Sequence, residues 1–153
     1  MPTLRSNCSN NYGPRQHQEK FIPTIIRTAI TDQPVPIYGQ GKNIRDWLYV
    51  EDHCRAIETI FLHGETGQSY NIGGDQELDN LTLARTICTL LDTIHPRKSG
   101  RYEDLLTFVT DRPGHDLRYA IDHTKLTKEL GWEPQESLAT GLQKTVEWYL
   151  LHV

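Results

Sequence analysis

Arg45-Asp46-Trp47-Leu48-Tyr49-Val50-Glu51-Asp52-His53 joins two kinds of pattern with no linker between them. Its first part, through Val50, is aromatic and β-branched and predicts a strand. Its second part opens a helix predicted over Glu51 to His63. Acidic Glu51 and Asp52 in the first turn suit the positive end of the helix dipole. Ala56, Ile57, Ile60 and Phe61 make the expected buried stripe. A strand feeding a helix directly sets the class as mixed α/β, of an α+β-like kind.

Upstream, Thr3 to Ser9 is a short apolar-polar run entering the cluster Asn10-Asn11-Tyr12-Gly13-Pro14, which predicts a turn. A helix is predicted from Gln18 to Thr31, with Phe21, Ile22, Ile25, Ile26 and Ile30 on one face. Pro34 to Tyr38 is extended, because prolines forbid a helix there. Gly39-Gln40-Gly41 turns the chain back toward Arg45.

Downstream, Ser69 to Ile72 predicts a short strand closed by Gly73-Gly74. Asn80 is placed to cap a helix reaching Ile94, with Leu83, Ile87, Leu90, Leu91 and Ile94 facing inward. Leu105 to Val109 reads as a strand, Asp111 to Asp116 as a turn, and Tyr119 to Ile121 as extended. Asp122 caps a short helix that stops at Gly131, with Pro134 beyond it. A last helix, Ser137 to Leu151, buries Leu138, Leu142, Val146 and Tyr149.

The 153 residues suffice for one domain with a core but not for two of comfortable size. Acids outnumber bases 20 to 16 with no basic stretch, which excludes a phosphate-backbone partner such as nucleic acid. No run approaches the roughly 20 apolar residues that span a bilayer, so no membrane role is expected. The N-terminal residues lack a signal pattern, and Cys8, Cys54 and Cys88 form no C-x-x-C pair. A reduced, cytoplasmic protein is expected. The histidines have no metal-ligand spacing, and no metal is expected. No glycine-rich dinucleotide fingerprint follows any strand, so the chain holds no cradle for a pyrophosphate of its own.

Four motifs stand in order along the chain: N-N-Y-G-P (Asn10 to Pro14), R-D-W-L-Y-V-E-D-H (Arg45 to His53), Y-N-I-G-G (Tyr70 to Gly74) and D-R-P-G-H-D (Asp111 to Asp116). G-W-E-P (Gly131 to Pro134) and K-T-V-E-W-Y (Lys144 to Tyr149) follow. With these the chain resembles the dTDP-glucose 4,6-dehydratases, extended short-chain dehydrogenase/reductases acting on nucleotide-activated sugars. The resemblance covers essentially the whole chain. It implies the C-terminal, substrate-binding part of a protein with a NAD-binding Rossmann fold, most of whose sheet lies outside residues 1–153. Residues 1–14 are then a remnant of the cofactor domain.

The resemblance also assigns residues. Arg45 and Arg112 match positions that hold the diphosphate, where guanidinium forks meet phosphate oxygens. His115 matches a position beside them; a lone histidine is otherwise a structural hydrogen-bonder. Asn80 matches a nucleotide contact, against its alternative as a plain helix cap. Pro36 and Tyr38 lie in the segment that the family sets beside the base, or serve only as an apolar anchor for their turn. Asn10 matches a contact to the sugar-diphosphate, and Asn11 is implied to face the NAD cofactor. Both also suit a turn. Lys20 adds a charge near the diphosphate, or pairs with Glu19 at the surface.

No residue here is expected to be catalytic. The family's NAD loop, Tyr-x-x-x-Lys pair and acidic dehydration pair all precede the region matched, as does its homodimer surface. The family's terminal tail would follow Val153. The implied partners are a dTDP-sugar and an N-terminal NAD-binding half, and Met1 before a segment that the family has mid-protein implies a truncated gene, a split gene or a fragmentary gene model. Two rivals stand beside this reading. One is a UDP-sugar epimerase or decarboxylase, which shares N-N-Y-G-P; the other is a non-catalytic binding module or inert fragment. The isolated chain is expected to be inactive, and poorly soluble or loosely packed, because Thr3 to Ser9 would expose an unpaired edge and the apolar surface that should face a partner domain.

Overall fold

The computed structural model describes residues 2–152; Met1 and Val153, the ends of the expected unit, lie outside the described residues. Strand β4 (Ile44–Tyr49) is the centre of the molecule. Side chains alternate across a strand, so Trp47 and Tyr49 enter one core and Leu48 the other. Both faces of β4 are buried, which explains its unbroken W-L-Y run.

The larger core lies beneath α1 (Phe21–Ile30), α3 (Asn80–Ile94) and α5 (Leu138–His152). Ile22, Ile25, Ile26 and Ala29 fill it from α1, and Leu83, Ile87 and Leu91 from α3. α5 adds Leu142, Val146 and Tyr149, while Leu138 is only half-buried. α1 begins at Phe21 rather than Gln18, because Lys20 N donates to His17 O in a preceding turn. The smaller core joins α2 (Val50–His63), β5 (Ser69–Ile72) and α4 (Thr124–Leu130) through Ala56, Ile60, Tyr70, Ile72, Leu126 and Trp132.

Three small sheets frame these cores. β1 (Arg5–Cys8) pairs in parallel with β5, from Arg5 opposite Ser69 to Cys8 opposite Ile72. β4 carries β2 (Asn10–Tyr12) and β8 (Arg118–Tyr119) in parallel and β6 (Glu77–Asp79) antiparallel. β3 (Val35–Tyr38) pairs in parallel with β7 (Leu106–Val109), which follows a short 3-10 turn. At Gly74 the backbone runs so close to β4 that a Cβ would sit 2.0 Å from the Trp47 carbonyl oxygen. No helix among the described residues is long and apolar enough to cross a membrane.

Several local expectations are corrected. Asn10 to Tyr12 is a strand, not a turn: the buried Tyr12 ring draws it onto β4, and the turn waits until Gly13. β1 and β2 are thus one extended run that changes sheets at Ser9. On α2 the inward stripe is Asp52, Ala56 and Ile60, while Ile57 and Phe61 are 47% and 78% exposed. Asp52 does more than face a helix dipole. Its oxygens accept from the backbone N–H groups of Gln135 and Glu136, each at 2.9 Å, and from Arg55.

The cap of α3 is Asp79, not Asn80. Asp79 Oδ1 accepts from Thr82 N at 2.8 Å and Oδ2 from the Thr82 hydroxyl at 2.7 Å. Partial burial opposes ionisation of this carboxyl, but the Thr82 bonds outweigh it and hold the group below its ordinary value. Asp79→Ala is expected to lower stability by about 1 kcal/mol in urea unfolding, whereas Asn80→Ala leaves this cap intact. Asp122 accepts from Thr124 N ahead of α4, although His123 is the residue at the helix boundary, and α4 ends at Gly131 as expected.

Candidate functional site

A cavity of about 460 Å³ opens where β2, β3, β4, α1 and α3 come together. β2 delivers Asn10 to it, and β3 delivers Pro36 and Tyr38. Arg45 and Trp47 alternate onto the same face of β4, and Asn10 lies opposite Trp47 in the parallel register. Asn80 arrives as the first residue of α3, freed from capping by Asp79. Lys20 sits just before α1, while Arg112 and His115 come from the turn after β7. All eight residues expected around a nucleotide-sugar therefore line one cavity. They come from six separate stretches of chain, and only the fold brings them together.

Positive charge dominates this cavity. Lys20, Arg45 and Arg112 face a single lining carboxylate, Glu19. None of the three cations lies within 4 Å of a carboxylate among the described residues. Glu19 instead approaches His17, at 3.9 Å, so the surface pair expected as an alternative for Lys20 does not form.

Arg45 is the most telling of the three. It is only 8% exposed, and its guanidinium donates to the carbonyls of Ile44 at 2.7 Å and Asp116 at 2.9 Å. A buried cation compensated by neutral carbonyls alone retains a strong attraction for an anion. Those two bonds also fix the plane of the fork, which suits bidentate binding of phosphate oxygens.

His115 is almost enclosed, with a side chain 9% exposed and Nδ1 2.7 Å from Asp111 Oδ1. The hydrogen bond from His115, together with the neighbouring Arg112, holds the Asp111 carboxyl below its usual range. Phe21, Thr24 and Trp47 complete the lining, and none of them was expected at the ligand. Phe21 stacks on Trp47 with centroids 6.4 Å apart, and Tyr12 meets the same indole edge-on at 6.5 Å. The period-2 alternation from Arg45 to Trp47 is a signal that would have found the indole.

Asn11 stands apart from the cavity. Its amide nitrogen donates to Ser9 O at 3.2 Å and contacts Cys8 Sγ at 3.3 Å, turning the side chain back onto the crossing between β1 and β2. Its Oδ1 is buried without a partner among the described residues. Among the described residues no strand passes through a glycine-rich turn into a helix N-terminus, so these residues do not form the cradle that a dinucleotide pyrophosphate needs. Among the described residues no three His, Cys, Asp or Glu side chains converge as metal ligands would.

Comparison with known proteins bears on the same elements. A dTDP-glucose 4,6-dehydratase of Neisseria gonorrhoeae is 54% identical over 153 residues, covering 98% of this chain and 44% of that protein. Its counterpart from Escherichia coli is 55% identical over 150 residues, covering 98% and 41%. The crystal structure of a Bacillus anthracis dTDP-glucose 4,6-dehydratase in complex with NAD superposes with a TM-score of 0.87 at 42% identity, covering 97% of this chain and 44% of that one. The fold is that of the C-terminal part of such a Rossmann-type enzyme, and the chain spans less than half the length of the relatives it matches. Residues 1–145 match the family described as GDP-mannose 4,6 dehydratase, and with nearly the whole chain inside that match the protein belongs to this family.

Proposed function

We propose that this chain is the dTDP-sugar-binding part of a cytoplasmic, NAD-dependent dTDP-glucose 4,6-dehydratase. The observation that carries the reading is the convergence of the eight residues assigned by resemblance on one cavity whose three cations have no carboxylate partner among the described residues. A nucleoside diphosphate is the complementary ligand: its phosphates meet Arg45, Arg112 and Lys20, and its base packs by Pro36 and Tyr38. Asn10 lies at the sugar end.

In the whole enzyme of this reading, hydride leaves the glucosyl C4 for NAD, water is eliminated across C5 and C6, and the hydride returns to C6. This chain's residues contribute orientation: by gripping the nucleotide they set the sugar against a cofactor held elsewhere. Residues 1–14 belong to the cofactor side of that enzyme. The parallel pairing of β1 with β5, in a sheet separate from β4, supports this. The outer edge of β1 then receives a further strand from an N-terminal half.

Thermal unfolding with dTDP, with UDP as control, tests the reading. Ligand at about 100 times its dissociation constant stabilises by roughly 2.7 kcal/mol. A rise with dTDP and little with UDP is expected. An equal rise with UDP favours the epimerase or decarboxylase alternative, and no rise with either removes the nucleotide site.

A further inference from the structure

Asp111 lies outside the set of residues assigned to the ligand, yet it touches what holds three of them. Its Oδ1 accepts from the backbone N–H of Arg112 at 2.9 Å and lies 2.7 Å from Nδ1 of the nearly enclosed His115 imidazole. Its other oxygen abuts the turn after Tyr38: a Cβ on Gly39 would come within 2.9 Å of Asp111 Oδ2 and 3.2 Å of the Asp111 Cβ. Gly39 also has φ +57°, a conformation that side-chain-bearing residues rarely adopt. One carboxylate is therefore wedged between the two turns that supply Tyr38 on one side and Arg112 and His115 on the other.

The chemistry of that contact sets the state of the imidazole. An ionised carboxylate only accepts hydrogen bonds, so His115 Nδ1 must carry the proton between them. The ring is then fixed in plane and tautomer, and Nε2 is the nitrogen left for the cavity that His115 lines. The charged and titratable groups that line the cavity with this ring are Arg112, Glu19, Lys20, Tyr38 and Arg45, with Asp111 and Asp116 on its own turn.

We propose that Asp111 is a positioning residue for diphosphate recognition, acting through His115. It holds Nδ1–H on its own carboxylate and leaves Nε2 as the nitrogen that meets the bound nucleotide, where Nε2–H of the doubly protonated ring donates to a phosphate oxygen. The inference rests on the nucleotide-binding reading above, and its test separates the two. The dissociation constants of dTDP and of thymidine are measured by titration calorimetry for the wild-type chain, Asp111→Ala, His115→Ala and the double variant. Asp111→Ala is expected to weaken dTDP roughly tenfold, the scale of one charge-assisted contact, and to leave thymidine unchanged.

In the double variant the Asp111 change is expected to add nothing to the loss from His115→Ala, because the two residues act as a unit. Asp111→Asn, whose amide oxygen still accepts from Nδ1–H, should recover part of the affinity. Additive losses in the double variant, or an equal loss for thymidine, overturn the proposal.

If the wild-type chain binds neither ligand, the nucleotide reading fails and the ring itself decides about Asp111. Nitrogen-15 spectra of the free protein are expected to give His115 as the Nδ1–H tautomer in wild type and as a tautomer mixture in Asp111→Ala. Identical ring signals in the two proteins overturn the positioning role.

Discussion

Asp52→Ala is expected to destabilise the protein by about 3–5 kcal/mol, the cost of breaking a buried, hydrogen-bonded charge. That is a large part of the 5–15 kcal/mol that holds an ordinary domain folded. The side chain is fully buried and ties the start of α2 to the segment leading into α5, through the backbone N–H groups of Gln135 and Glu136. Removing it strands both donors, and Arg55 loses its carboxylate. Glu51, one residue earlier and exposed, is the control: Glu51→Ala should stay within about 0.5 kcal/mol. Urea unfolding of the two variants measures the contrast. Equal, small losses would mean that the Gln135 and Glu136 amides find other partners.

The second large effect concerns ligand affinity. Arg45→Ala is expected to weaken dTDP binding roughly 10- to 100-fold, because one or two charge-assisted bonds to the diphosphate go with it. The same substitution removes the bond to the Asp116 carbonyl that ends the turn bearing Arg112 and His115. Arg45→Lys should recover only part of the affinity. A point charge cannot hold the Ile44 and Asp116 carbonyls together and still offer a planar fork. Titration calorimetry on the three proteins reads the order Arg, Lys, Ala; unchanged affinity in Arg45→Ala would take the diphosphate away from the cavity floor.

What the sequence discloses follows from where each signal resides. The strand at Arg45 and the helix behind it were legible because β-branched and aromatic residues give way abruptly to acids and helical spacing. α1 and α3 were legible from their apolar periodicity. β6 was not: Glu77-Leu78-Asp79 has no pattern of its own and is a strand only because β4 pairs with it. Asp79 and Asn80 are adjacent and both suited to capping, and no local feature decides which side chain turns back to Thr82. α2 misled more deeply. Ile57 and Phe61 sit at helical spacing yet face outward, while a carboxylate faces in, satisfied by amides more than 80 residues away. The cavity was legible only through family resemblance, since Asn10, Tyr38 and Arg112 share no local pattern. Within it, Trp47 was within reach of simple alternation, whereas the grip of Asp111 on His115 depends on a turn geometry that residue types alone do not specify.

The change of sheet at Ser9 bears on how this molecule transmits force. Arg5 to Tyr12 is one extended segment, clamped to β5 at one end and to β4 at the other, with Asn10 just past the crossing point. Only Ser9 separates the two strands, so a pull along β1 reaches Asn10 through a single unpaired residue. Arg112 and His115 are anchored differently: their turn runs from β7 to β8, and its far end is held to β4 by the Asn43 and Arg45 side chains on the Asp116 carbonyl and by Ile44 N–H on the Leu117 carbonyl. The two ends of the cavity thus answer to different mechanical anchors, one an axial strand, the other a turn pinned across its two ends.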